Sequence, residues 1–237
     1  MINNWLKIIH NTLYPRTCLL CAAPGQEAFD LCRDCHRALP FNRIACPICG
    51  IDLPSAQASA PCGKCVVKKP NYDRTLALFR YREPLRYLIR SLKFHSNFAS
   101  ARLLGELMTD HVINLQIEPP ELIIPVPLHR KRLWQRGFNQ SLEIARPISR
   151  AIEVPIAQAR CFRTLDTRPQ FELQANERHR NIKNAFEVRG RITERRIVIF
   201  DDVVTTGATV NEIARVLRKK GAEFIEIWTI ARANMKN

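Results

Sequence analysis

The sequence predicts an α/β protein, a parallel sheet with helices on both faces, preceded by a small cysteine-rich module. Three observations carry that expectation. Four Cys-x-x-Cys pairs precede residue 66, and after residue 70 short apolar runs alternate with stretches of helical spacing. The run Ile197-Val198-Ile199-Phe200 is uniformly β-branched or aromatic, the character of a strand buried on both faces, as parallel sheets require.

At 237 residues the chain can hold one sizeable core or two small domains. Its 46% hydrophobic and 25% charged residues suit a soluble globular protein, and its longest apolar runs are far too short to span a bilayer. The start, Met1-Ile2-Asn3-Asn4-Trp5-Leu6-Lys7, lacks a long apolar core and a small-residue cleavage site, so no secretory signal is expected. Residues 1–16 read as a short amphipathic helix, 17–69 as the cysteine-rich module and 70–237 as the main domain. Lysine and arginine outnumber acids by 37 to 22, a formal charge of +15, which points to an anionic partner: a phosphorylated substrate, nucleic acid or an acidic lipid surface.

The cysteines come first. Cys18 and Cys21, Cys32 and Cys35, Cys46 and Cys49, and Cys62 and Cys65 form four pairs within 48 residues, separated by 10, 10 and 12 residues. Each pair is a knuckle that directs two thiolates at one ion, and two knuckles complete a closed tetrahedral zinc site. Disulfides would need an oxidising compartment, and a redox Cys-x-x-Cys explains one pair rather than four. The pattern therefore predicts a ribbon with two structural zinc ions, which supply much of its stability. The simplest scheme puts the first two knuckles on one ion and the last two on the other, and the spacing leaves an interleaved scheme open. Eight thiolates and two zinc ions subtract eight charges and add four, leaving +11. Cys161 stands alone and reads as a packing residue.

Residues 75–81 then read as a strand and 84–94 as a helix with Leu85, Leu88, Ile89 and Leu92 on one side. Arg80, Arg82, Arg86, Arg90, Lys93 and His95 are interleaved with Tyr81, Tyr87, Phe94 and Phe98. Such a mixture can bind the phosphates and stack on the bases of a single strand, or simply form a solvated basic face. A helix over 99–115 follows, then a buried strand over 121–127 ended by prolines. His129, Arg130, Lys131, Arg132 and Arg136 leave that strand as a basic loop, suited to a polyanion because arginine forks match phosphate oxygens. A helix runs from the Gly137-Phe138-Asn139-Gln140-Ser141 segment to residue 152. Residues 163–185 are polar enough for an active-site lid, 184–188 form a further strand and 223–230 another.

The chemistry concentrates at the end of the 197–200 strand. Asp201 and Asp202 close it, and Thr205, Thr206, Gly207, Ala208 and Thr209 turn into a helix carrying Val210, Ile213, Ala214 and Leu217 inward and stopping at Gly221. Backbone N–H groups at that helix start, helped by the threonine hydroxyls, would cradle a phosphate. The acids, one turn earlier, can accept hydrogen bonds from sugar hydroxyls or help hold Mg²⁺. The arrangement suits a ribose 5-phosphate. In open α/β sheets ligands lie at the carboxyl ends of strands, so this turn and the basic loop would face one crevice.

The apolar run, paired acids and T-T-G-A-T turn resemble the phosphoribosyl-diphosphate (PRPP) signature of type I phosphoribosyltransferases. The chain as a whole resembles the ComF/GntX family. The matching pieces are the Cys-x-x-Cys ribbon, F-R-Y-x-x-P-L-R-x-L-I-x-x-L-K-F over 79–94, P-V-P-L-H-x-x-R-x-x-x-R-G-F-N-Q over 125–140, T-R-P-Q ending at Gln170, R-x-x-N at Arg178 and Asn181, and D-D-V-V-T-T-G-A-T from Asp201. The resemblance implies a zinc ribbon joined to a type I phosphoribosyltransferase-like (Rossmann-like) domain. It also implies a role in natural competence, single-stranded DNA uptake and the use of DNA as a nutrient. By resemblance Asp201 and Asp202 would hold the ribose hydroxyls and act as the catalytic acids, and the 205–209 turn the 5-phosphate. Arg132 and Arg136 would lie near the diphosphate, and Arg163, Arg168 and Arg178 in or beside the flexible loop. Its implied cofactors are structural zinc and Mg²⁺ arriving with PRPP, and its implied partners are single-stranded DNA and DNA-uptake machinery proteins at the inner membrane. The implied location is cytoplasmic or peripheral at that membrane, with no transmembrane segment. The alternative reading is an active transferase moving ribose 5-phosphate from PRPP to a nitrogenous acceptor.

Overall fold

A computed structural model describes residues 15–54, 60–166 and 182–234. The apolar run 197–200 lies inside strand β5 (Arg196–Val204), flanked by β2 (Leu122–Pro125) and β6 (Phe224–Arg232), with β1 (Arg74–Arg80) beyond β6. All three pairings in the β1-β6-β5-β2 sheet are parallel, with Ile199 opposite Ile124 on one side and Ile227 on the other. Helices α3 (Leu85–His95), α4 (Phe98–Asn114) and α6 (Gln140–Ala151) join a core with Ile123, Val198, Phe200, Trp228 and Ile230. Helix α7 (Ala208–Lys219) packs with Leu122, Ile124, Ile197, Ile199, Ile225 and Ile227 on the other face. Side chains alternate between faces along each strand, so helices on both sides require apolar residues at consecutive positions, as the sequence has them. Helices α4 and α6 approach so closely that a Cβ on Gly105 would lie 2.2 Å from Pro147 Cγ and 2.7 Å from the Ile144 carbonyl.

Ahead of the sheet lie two short helical turns, α1 (Arg33–Arg37) and α2 (Gly63–Val67), each opened by a cysteine. Cys18, Leu31 and Leu39 share the core that holds α3, α4 and Phe79, so the ribbon packs on the domain that follows it. Residues 40–42 cover the β1 edge: Arg80 N–H donates to the Pro40 carbonyl (2.8 Å) and Asn42 N–H to the Leu78 carbonyl (3.0 Å).

The structure corrects three sequence expectations. β5 does not end at the acids but continues through both to Val204, because Val203 and Val204 pair with Ala231 and Arg232 of β6. The expected basic loop is a helix, α5 (Arg130–Arg136), opened by the His129 side chain and closed by Gly137 at φ 80°. It buries no residue, so no apolar periodicity announces it. The 184–188 strand is β4 (Phe186–Val188), which leaves the main sheet and pairs antiparallel with β3 (Cys161–Arg163). Arg163 ends β3, at the edge of the stretch expected as the flexible loop. Among the described residues no helix is long and apolar enough to cross a membrane. The expected helix over 1–16 falls almost wholly outside the described residues.

Candidate functional site

The eight paired cysteines converge in two groups, Cys18, Cys21, Cys32 and Cys35, and Cys46, Cys49, Cys62 and Cys65, with ligand atoms in each group within 4.8 Å of one another. Zn–S bonds of about 2.3 Å place the sulfurs of a tetrahedron about 3.8 Å apart. Cys21 and Cys32 sulfurs stand 3.6 Å apart, and Cys49 and Cys62 sulfurs 3.7 Å apart, so both groups fit zinc. Pairing therefore follows chain order, and the interleaved scheme is excluded. Burial acts to raise the Cys18 thiol, but backbone N–H groups of Cys32, Leu20 and Cys21 outweigh it and bring it down to about 6. Cys46 is brought down to about 7 in the same way, against burial, by N–H groups of Cys49, Cys62 and Ile48. These donors favour thiolates, the metal-binding form. Cys161, outside both groups, is 2% exposed and pushed up to about 12 by burial, an inert packing residue.

The second centre of chemistry lies at the carboxyl end of β5. Asp202 is 3% exposed: Lys93, from the last turn of α3, forms an ion pair with it, and Gln140 Nε2 donates to its other oxygen at 3.3 Å. Arg136 donates to Gln140 Oε1, so a chain of contacts runs from the α5 cations to the acid pair. Asp201 is less covered and accepts from Ser141 Oγ at 3.2 Å and from the Asp202 N–H at 3.0 Å. Burial, and then the neighbouring Asp202 charge, push the Asp201 carboxyl up to about 7, against the pull of Lys93 and Ser141. Asn139 holds this assembly together, its Oδ1 capping α6 by accepting from the Ser141 N–H and its Nδ2 donating to the Val126 carbonyl just past β2.

The remaining cations face the same place. Burial lowers the Arg136 guanidinium, and Arg132 adds to that shift while Asp202 opposes it. Burial and Arg132 bring Arg163 down to about 10 against the opposing pull of Asp201 and Asp166. Arg136 thus lies near Asp202 and Arg163 near Asp201, with Arg132 near both arginines.

Beyond Val204 the chain turns through 205–207 into α7. Gly207 sits in the left-handed region (φ 80°, ψ 2°), and a Cβ there would lie 3.3 Å from the Tyr72 hydroxyl. Thr206 Oγ1 accepts from the Ala208 N–H at 3.2 Å, a local cap that sets the turn. The first N–H groups of α7 have no partner within the helix and sit at its positive end, the physical basis of an anion cradle.

Known proteins resemble this chain along most of its sequence. A double zinc ribbon domain matches residues 9–66 and a phosphoribosyl transferase domain residues 139–237, which takes in the acids and the turn but starts after α5. Along 223 residues the chain is 38% identical to the DNA utilization protein YhgH of Escherichia coli O157:H7, covering 92% of this chain and 97% of that one. It is 37% identical over 210 residues to Competence protein F of Haemophilus influenzae, covering 86% and 90%. The chain belongs to the ComF/GntX family. A more distant member, Competence protein ComFC of Bacillus subtilis, is 25% identical over 215 residues. In this ComF/GntX chain Arg136 lies near Asp202 and Arg163 near Asp201, Arg132 lies near both arginines, and the turn of Thr205, Thr206, Gly207, Ala208 and Thr209 follows β5 directly. Arg168 and Arg178 lie outside the described residues. Sequence reasoning passed over Lys93, Gln140 and Ser141 as neighbours of the acids. All three stand inside or next to family motifs, but helical spacing alone could not reveal contacts made between α3, α6 and β5.

Proposed function

We propose that this ComF/GntX protein binds PRPP at the carboxyl end of β5 and handles single-stranded DNA in a competence or DNA-utilisation role. The observation that carries the first half is the convergence of Arg136 and Arg163 on the paired acids, with Arg132 near both arginines and the α7 start a short turn beyond β5. In this reading the 205–209 turn takes the 5-phosphate, Asp201, the less covered acid, meets the ribose hydroxyls, and the arginines receive the diphosphate. Asp202, held between Lys93 and Gln140, lies beneath the sugar and fixes the α3 and α6 contacts. Mg²⁺, entering with the diphosphate, would spread its charge.

The second half rests on the surface beside this site. Tyr87 and Phe94 on α3, Phe98 on α4 and Trp134 on α5 are 57%, 66%, 50% and 87% exposed. Arg82, Arg86, Arg90 and His95 are exposed on or next to α3, and Arg130 and Lys131 are exposed on α5. Exposed aromatics among cations fit the stacking and phosphate contacts of a single strand, and the relatives' names place DNA use and competence in the same family.

The test is isothermal titration of zinc-loaded protein with PRPP. The wild type should bind, and Arg132→Ala with Arg136→Ala, two half-buried positions whose loss leaves the core intact, should weaken binding at least tenfold. A wild type that gives no heat with millimolar PRPP, or a double variant of equal affinity, removes the reading.

A further inference from the structure

The second cysteine group does not hang free of the sheet. It is joined to the start of the phosphate turn by Arg232, the last residue of β6, which is 6% exposed. Its Nε donates to the Cys49 carbonyl at 2.8 Å, while its Nη1 lies within hydrogen-bonding reach of the carbonyls of Val204 (3.1 Å), Thr205 and Ala233 (2.8 Å). One guanidinium fork thus spans the zinc knuckle and the exit of β5, where the 205–209 turn begins. Neighbouring contacts tighten the same joint. Thr75 receives the knuckle on β1, its N–H donating to the Pro47 carbonyl (3.0 Å) and its hydroxyl to that of Ile48 (2.7 Å). Tyr72, 4% exposed, puts its hydroxyl 3.3 Å from where a Cβ of Gly207 would stand, so the floor of the turn also rests on residues beside the knuckle.

Charge points the same way. Among the described residues no carboxylate forms an ion pair with Arg232. A zinc ion held by four thiolates carries a net charge of −2, so the buried guanidinium has the second zinc centre on one side and the anion-binding turn on the other. Among the described residues the first cysteine group has no such tie: it is anchored to α4 instead, through Asp30, which pairs with Arg102 and Arg16, and through the Arg16 to Glu106 pair (3.4 Å).

We propose that Arg232 is a positioning residue that sets the phosphate-binding turn against the second zinc site, so that zinc in that site, and not in the first, is required for the turn to hold a phosphate. The proposal deepens the PRPP reading and rests on it for the identity of the ligand. It makes the ribbon's second half a structural part of the sugar-phosphate site.

The experiment uses full-length Arg232→Met, Cys65→Ser and Cys21→Ser, with zinc content, amide hydrogen exchange over 204–209, and titration with ribose 5-phosphate and separately with pyrophosphate. Arg232→Met should keep about two zinc ions per chain, raise exchange across the turn, and lose at least tenfold in affinity for ribose 5-phosphate. Its pyrophosphate affinity, which the α5 arginines supply, should stay within twofold of wild type. Arg232→Lys, which keeps the charge but reaches fewer carbonyls, should fall between. Cys65→Ser should lose one zinc ion and show the same loosened turn; Cys21→Ser should lose one zinc ion and leave the turn as it was. Unchanged exchange and ribose 5-phosphate affinity in Arg232→Met overturns the proposal, as does an equal effect of the two cysteine variants on the turn. If the wild type binds no ribose 5-phosphate, the PRPP reading fails, and the exchange data alone still decide whether Arg232 and the second zinc ion hold the turn.

Discussion

Replacing Asp201 with asparagine removes a charge that the fold resists, and the cost of that charge depends on pH in a way the structure fixes. In the folded chain its carboxyl keeps its proton until about pH 7, whereas an unfolded aspartate releases it near about 3.9. Between those values the unfolded chain binds fewer protons than the folded one, so stability falls as pH rises, and the loss levels off above the folded value. At 1.36 kcal/mol per unit the penalty reaches about 1.5 kcal/mol at pH 5 and about 4 kcal/mol at pH 8, a difference of about 2.5 kcal/mol. These are ceilings, because Lys93 and Ser141 can shift to meet the new charge; about half is the working expectation. Urea unfolding of the zinc-loaded protein reads it, with the buried Trp228 as a fluorescent reporter. The wild-type midpoint should drop between pH 5 and pH 8 by on the order of 0.5–1 M, and the Asp201→Asn midpoint should drop less by that amount. Parallel pH profiles for the two proteins would refute the reasoning, and so would a wild type that gains stability over this range through loss of this proton. The variant should also lose affinity for PRPP, since an amide cannot serve the sugar hydroxyls as a carboxylate does. Stability gained at pH 8 together with binding lost would mark a residue kept for its site at the expense of the fold.

Two further outcomes follow from single positions. Gly207→Ala forces a side chain into the left-handed region, a cost of about 1–2 kcal/mol, and crowds the Tyr72 hydroxyl; thermal unfolding should register the loss and titration should show ribose 5-phosphate binding weakened about tenfold. Phe94→Ala with Trp134→Ala should reduce binding of a labelled thymidine oligomer by about 1–3 kcal/mol per stacked base in fluorescence anisotropy, without changing PRPP affinity, and an oligomer affinity flat from low to high salt would refute the phosphate contacts.

Most of the architecture was written in local patterns. Consecutive apolar residues at 197–200 and 122–124 mean strands covered on both faces, and cysteine spacing of two means knuckles, because each is a property of a few neighbouring residues. The expectations that needed correction concern relations between segments. That β5 runs on past its acids depends on Val203 and Val204 finding partners in β6, and that 186–188 leaves the main sheet depends on Cys161 and Phe162 lying opposite it. Helix α5 was hidden for another reason: with cations at four of its seven positions and none of its residues buried, it is held by a cap and a glycine stop rather than by an apolar stripe.

The site divides along the same line. Asp201, Asp202 and the threonine turn were legible because they are contiguous, and the basic residues at 130–136 because they are many. The residues that touch the acids were not, since each arrives from another element: Lys93 from the end of α3, and Gln140 and Ser141 from the start of α6. Their placement has one physical logic. Two carboxylates side by side near a strand end repel each other, and the fold surrounds them unequally: an ammonium and an amide cover Asp202, while burial and the Asp202 charge raise the Asp201 carboxyl. In the proposed reading the acid left more open is the one whose ionisation a bound ligand would change, and the acid that is covered is the one that ties α3 and α6 to the sheet.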